Sequence, residues 1–241
     1  DGLMMEAGTA PTAAIALTGA VTLSTTTVGL TAQNTITVTG TVNSPDTQAL
    51  TATSTNDANI VFSSLIGGTN ALGALTIDGG EITLNGIGTA GTAGVTGAIS
   101  VTSAGNVVLN GTSYRSGNTI TVTANGFVEL NAADYHSTGA QTWTAPSGVR
   151  YLATLDGTWS AGVGNTITCT GTNTDVYLDH NGQTLTLGSN LSCRNLYFYR
   201  GSLDCSTRTI TTTANLVLFG TYYNPDDADW DGADTRHAYY H

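Results

Sequence analysis

No lysine occurs anywhere in the 241 residues; all six cations are arginines, Arg115, Arg150, Arg194, Arg200, Arg208 and Arg236. That absence removes Schiff-base chemistry, the phosphate-gripping lysine of a P-loop and any Lys–Asn isopeptide cross-link. Charge of either sign is scarce, at 10% of residues, against roughly 25% in an ordinary soluble domain. Thr, Ser, Asn and Gly must therefore cover the surface. The charge present sums to −11, which disfavours nucleic acid and anionic membranes, because binding to phosphates draws on cations. No run approaches the roughly 18 apolar residues of a membrane-spanning helix, so membrane insertion is not expected. A charged-then-apolar leader is also missing at the N-terminus; if the protein is secreted, the chain from Asp1 is expected to be already processed. Apolar residues nowhere recur at i, i+3, i+4 and i+7 with charges opposite, which argues against amphipathic helices.

What is there has period two. NTITVTG from Asn34, NTITVTA from Asn118 and NTITCTG from Asn165 alternate apolar residues with threonine, as a strand with one buried and one wet face requires. QTLTLGS from Gln183 and RTITTTA from Arg208 carry the same phase, and the steps imply a degenerate repeat of about 18–25 residues. The repeat is clearest in LTIDGGEITLNG, ISVTSAGNVVLNG and ITVTANGFVELNA, which begin at residues 75, 99 and 120. Each unit is a strand, a turn of Gly, Ala or Asn, and a second strand ending in Leu-Asn. Asn-Gly pairs at Asn85, Asn110, Asn125 and Asn181 fall mostly at one phase of the repeat. Recurring turns favour a coil that returns to the same corner, so the expected fold is all-β, a parallel β-helix (β-solenoid) with irregular coils. A β-sandwich built of meander hairpins is the alternative.

These residues resemble the passenger regions of filamentous haemagglutinin-like adhesins and related β-strand-repeat surface proteins, whose coils read as GNVxLNG and NxTITVTG. The likeness covers roughly residues 30 to 220 and implies a right-handed parallel β-helix on a cell surface or fibre. The expected organisation is an extended N-terminal segment over 1–24, an Ala/Thr/Gly-rich solenoid over 25–140, an aromatic-richer solenoid over 141–221 and an acidic, aromatic C-terminal segment over 222–241. Pro146 and the small residues of 137–148 mark the expected boundary between the two solenoid parts.

A solenoid exposes unpaired backbone at both ends unless something caps them, and no capping helix is legible. End-to-end stacking of such a unit is heterologous and generates filaments. The expected function is therefore an extracellular structural protein, the self-assembling subunit of a filament, sheath or surface layer, and not an enzyme. Its first partner is itself, with Leu3, Met4, Met5, Ile15, Leu17, Tyr197, Tyr199, Tyr222 and Tyr223 as candidate interface residues. The alternative is an adhesin or tail-spike-like module that binds a glycan, using outward Tyr197 and Tyr199 beside Arg200.

Sites of chemistry are few. Asp227, Asp229 and Asp231 follow the opening of a calcium loop, with Gly232 at its sixth position, but Ala238 replaces the twelfth-position glutamate, so the expected site is a simpler loop that also uses Asp234 or Asp226. Ca²⁺ is thus the one cofactor expected, against a solvated acidic turn. Cys169, Cys193 and Cys205 lack metal-ligand spacing; buried thiols or a Cys193–Cys205 disulfide are the open readings. His136, His180, His237 and His241 read as turn or surface residues. Asp78, Glu81, Glu129, Asp134, Asp156, Asp175, Asp179 and Asp204 are scattered without a shared face. Asn110 and Asn190 begin glycan acceptor sequons. Thr-x-Thr pairs could in principle line up as the flat two-column ladder that meets ice. The 18–25 spread in coil length predicts that they do not, and strand preference accounts for threonine.

Overall fold

The structure, a computed structural model, describes residues 3–6, 13–24, 27–92, 94–205 and 207–218. Among them there is no helix, and the chain winds through about nine turns of a parallel β-solenoid. The first wall is a ten-stranded parallel sheet, running from Leu3–Glu6 and Thr27–Ala32 through Ala49–Ser54, Leu75–Gly79, Ile99–Ser103, Ile120–Ala124, Gln141–Thr144, Thr166–Thr170 and Asn190–Cys193 to Ile210–Thr212. The second wall climbs from Ile15–Leu17 to Leu216–Leu218, one strand per coil. A short third wall, Ser113–Ser116, Asp134–Ser137 and Gly157–Ser160, joins the second through the twelve-residue strand Val176–Leu187. That strand turns the corner, pairing Val176–Leu178 with Val149–Tyr151 and Leu185–Leu187 with Gly157–Trp159.

Period two is realised as read. In Ile120–Ala124 the apolar residues Ile120, Val122 and Ala124 are buried while Thr121 and Thr123 are half-exposed. Successive coils place like on like: Leu50, Leu75, Ile99 and Ile120 share one register column, and Ile60, Ile82, Val107 and Val128 another. Coil length, taken between successive residues of the first wall's inward column, runs from 19 residues (Leu191 to Ile210) to 26 (Gln141 to Ile167). The asparagines after Leu84, Leu109 and Leu130 mark one recurring corner. There Asn131 Nδ2 donates to Asn110 Oδ1 at 2.9 Å, and Gly86 and Gly111 take the positive φ values of 104° and 88° that this corner demands.

The segment 137–148 is a coil like the others. Gln141–Thr144 pairs with Ile120–Ala124 below and Thr166–Thr170 above, Pro146 sits in the turn that follows, and one hydrophobic core runs through this level. The aromatic shift is internal to that core. Tyr114, Tyr135, Trp143, Tyr151 and Trp159 are all buried and joined in one network of ring contacts: Tyr135 meets Tyr114, Trp143 and Tyr151, and Trp159 meets Trp143 and Tyr151, with centroids 5.2–6.1 Å apart. The tyrosine hydroxyls are met from the backbone, with Tyr114 donating to the Leu84 and Asn110 carbonyls and Tyr151 to Ala133, whereas Trp143 Nε1 is buried with no hydrogen-bond partner among the described residues. Trp159 Nε1 donates to Gln141 Oε1 at 2.7 Å. The described strands of the extended N-terminal segment belong to the stack: Leu3–Glu6 pairs with Thr27–Ala32, and Ile15–Leu17 with Ile36–Val38.

Candidate functional site

Three features stand out on this scaffold: the outer face of the first wall, a tyrosine platform on the second, and the ends of the stack. Pairing on the first wall proceeds through every coil without a register shift. The outward positions therefore form two straight columns. One reads Gly29, Thr51, Thr76, Ser100, Thr121, Thr142, Thr168, Ser192 and Thr211; the other reads Thr31, Thr53, Asp78, Thr102, Thr123, Thr144 and Thr170. The expectation that unequal coils would scatter these residues is corrected. Length is absorbed at corners and in the third wall, which some coils have and others lack, while the backbone ladder holds the first wall in step. Within the array Thr144 and Thr170 share a hydrogen bond of 2.9 Å between their hydroxyls.

On the second wall the equivalent outward column reads Ala16, Thr37, Val61, Thr83, Val108, Glu129, Arg150, Tyr177, Tyr197 and Val217. Its upper part is aromatic and cationic. Tyr177 stacks on Tyr197 with centroids 5.0 Å apart and on Tyr199 at 6.4 Å, and Arg150 lies 4.4 Å over the Phe127 ring. Phe198 turns inward between them, as alternation predicts, and packs on the core. Burial first, then nearby Asp175, pushes the Tyr177 hydroxyl up, so it remains a neutral phenol. Two ion pairs flank the platform: Arg200 Nε to Asp179 Oδ1 at 2.6 Å, and Arg194 Nε to Asp175 Oδ1 at 2.7 Å.

Of the scattered carboxylates, Asp134 is likewise paired, with Arg115 at 3.1 Å. His136 stands beside Arg115 in register, and burial first, then that guanidinium, lowers its pKa. His180 departs from its reading as a turn residue. It is only 1% exposed, wedged between Tyr151 and Phe198, with Nε2 2.8 Å from the Ser202 carbonyl. The ring faces inward in phase with Val176 and Leu178, and the Asn181-Gly182 pair that follows, which reads as a turn, concealed that the strand runs on through it. Among the described residues no three of His, Cys, Asp or Glu converge as a metal set.

The candidate Cys193–Cys205 bridge is not formed; all three thiols are free. Cys193 points inward from the first wall, whereas Cys205 follows Asp204 at the end of a second-wall strand, so different walls carry them. Cys169 and Cys193 are buried, and burial pushes the Cys193 thiol up to about 12. Both are neutral, unreactive core thiols. Asn190 is exposed and its Oδ1 accepts the Thr209 N–H, while Asn110 is tied to Asn131. Tyr222, Tyr223, Asp227, Asp229, Asp231 and Asp234 lie outside the described residues.

At the first coils an apolar cavity of about 80 Å³ is lined by Met5, Leu17, Val21, Leu23, Leu30 and Phe62 among others, with Met5 39% exposed. At the far end Leu216 and Leu218 occupy the same register columns as Ile15 and Leu17. There Leu218 is 40% exposed.

Fold and surface together define a parallel β-solenoid protein whose outer walls differ in chemistry. Compared with known protein families, with curated proteins and with solved structures, the chain matches none.

Proposed function

We propose that this chain is extracellular structural material, a subunit that extends by adding copies end to end into a filament, sheath or surface layer. One observation carries the reading. Among the described residues the outermost strands, Leu3–Glu6 and Ile15–Leu17 at one end and Ile210–Thr212 and Leu216–Leu218 at the other, are paired along one edge only. Unpaired edges invite another strand. A second copy added in register would also set Leu216 and Leu218 against Ile15 and Leu17, apolar on apolar, and cover the exposed Met5 and its cavity. The joint is heterologous and does not close, so growth continues.

Negative-stain electron microscopy of the purified chain tests this. Unbranched filaments of uniform width are expected, and a Leu17→Glu variant, with a charge at the joint, is expected to yield isolated rods. Monodisperse rods from the unmodified chain at every concentration would refute the proposal. The same grids prepared with EDTA test whether Ca²⁺ at Asp227, Asp229, Asp231 and Asp234 belongs to the joint.

A second reading, glycan binding, is favoured by the platform of Tyr177, Tyr197, Tyr199 and Arg150, since aromatic rings beside polar groups suit sugar rings. A saturable glycan-array signal that Tyr197→Ala removes would select it.

A further inference from the structure

From the outer face of the first wall we infer a second activity: the threonine array is an ice-binding surface, which adsorbs to the lattice of crystalline water. Four consecutive coils, from Ser100 and Thr102 to Thr168 and Thr170, present a hydroxyl at both outward positions. Seven of these eight side chains are threonine. Neighbouring coils stand about 4.8 Å apart, and outward residues along one strand about 6.6 Å apart, twice the rise of a parallel strand. Both spacings lie close to repeats of hexagonal ice, so the array offers a two-dimensional match rather than a single row.

Three further observations point to ordered water as the occupant. Apart from the Thr144–Thr170 pair, these hydroxyls make no side-chain hydrogen bond to the described residues, and all eight side chains are exposed or half-exposed. No charged residue stands in either column between Thr102 and Thr170, so the patch has nothing to attract an ionic partner or a tightly held hydration shell. Threonine also brings a methyl group beside each hydroxyl. Its χ1 stiffness on a strand keeps both in place, so little side-chain freedom is lost on contact with a rigid lattice.

The second wall serves as an internal control on strand preference. Its strands make the same backbone demands, yet its outward column holds only Thr37 and Thr83 among ten positions, mixed with Val, Glu, Arg and Tyr. Preference for strands would have placed threonine on both walls. Its concentration on the wall without a register shift is what lattice matching requires.

The experiment uses the purified full chain, with thermal hysteresis read by nanolitre osmometry and adsorption read by partition into a growing ice hemisphere. The unmodified chain is expected to shape ice crystals, lower the freezing point below the melting point and enter the ice. Thr123→Tyr, a ring raised from the centre of the array, is expected to abolish all three effects. Thr83→Tyr on the second wall is expected to leave them intact. Thr123→Val, which keeps the methyl groups and the strand preference, guards against misfolding and is expected to reduce hysteresis with an unchanged melting curve. The inference is overturned if the unmodified chain is excluded from ice, or if folded Thr123→Tyr retains full hysteresis. It is equally overturned if Thr123→Tyr changes only the lateral bundling of filaments, which would make the wall a contact between copies. The hysteresis and ice-partition readings do not depend on whether filaments form.

Discussion

At Gly148 the backbone takes φ of 97°, and a Cβ there would lie 2.4 Å from the Tyr177 ring. Two costs therefore meet at one position: a conformation that L side chains avoid, at about 1–2 kcal/mol, and displacement of a ring stacked against Tyr197. Gly182 separates them, because its φ of 76° carries the first cost while nothing lies within 4 Å of an added Cβ. Gly148→Ala should destabilise the chain more than Gly182→Ala in parallel denaturant titrations, and its near-ultraviolet dichroism should show the tyrosine stack disturbed. Equal losses would mean that the ring yields freely. Asp175, only 6% exposed, gives a second test. Burial alone would raise its pKa, but hydrogen bonds from Arg194 at 2.7 and 2.8 Å and from Asn195 at 2.9 Å hold it below the ordinary value. A carboxyl depressed in the folded state contributes stability above its unfolded pKa of about 3.9, and that contribution is lost as pH falls through the lower, folded value. Thermal melts should thus fall on acidification below about pH 4, and Asp175→Asn should flatten that part of the profile while lowering stability near neutrality. A mutant profile parallel to that of the unmodified chain would rule out the linkage.

Strands and corners respond differently to change, and this governs how much was legible beforehand. Inside a strand the period is two, so one inserted residue sends every later side chain to the opposite face. An insertion between Thr121 and Val122 should turn the Val122 position outward and bury a threonine beside Trp143, abolishing cooperative melting. One glycine inserted after Val163, which is 106% exposed in the turn before Thr166–Thr170, lengthens only a loop. Doubling such a loop costs about 0.6 kcal/mol, so the melting curve should barely move; a collapse there would show that corner lengths are fixed after all. The same asymmetry explains the reading of the sequence. Alternation in NTITVTA and its relatives was legible because one buried and one wet face leave a period-two record, and it yielded the strands, the parallel coil and inward Phe198. Corners carry no such record. The spread in coil length therefore said nothing about register, which is why the threonine columns went unseen; His180, in phase with inward Val176 and Leu178, was missed because Asn181-Gly182 reads as a turn although the strand Val176–Leu187 runs through it. Segment 137–148 looked like a break because Pro146 interrupts the pattern, yet a proline in a turn between strands interrupts nothing.

Because each coil touches chiefly its neighbours, the whole molecule behaves as a one-dimensional stack whose stability is a sum of coils and the contacts between them. Such a stack should be firmest in the middle. Strands from Ile60–Phe62 to Thr166–Thr170 are anchored by fully buried residues, and the aromatic run from Tyr114 to Trp159 reinforces their upper half. Toward the far end the burial falls away, for in Ile210–Thr212 and Leu216–Leu218 no residue is fully buried. Native-state hydrogen exchange follows local opening, so amides of residues 196–218 and of the first coil should exchange soonest, and those of 99–151 only at the rate set by global unfolding. Assembly gives this gradient a second use. If copies join end to end, the terminal strands acquire partners on their open edges, and protection in 3–6, 15–17, 210–212 and 216–218 should rise in filaments while the middle stays unchanged. Filaments that form without that gain would have to be held by a side wall. The threonine face of the first wall would then be the first place to look, and Thr123→Tyr would dissolve the filaments rather than free them from ice.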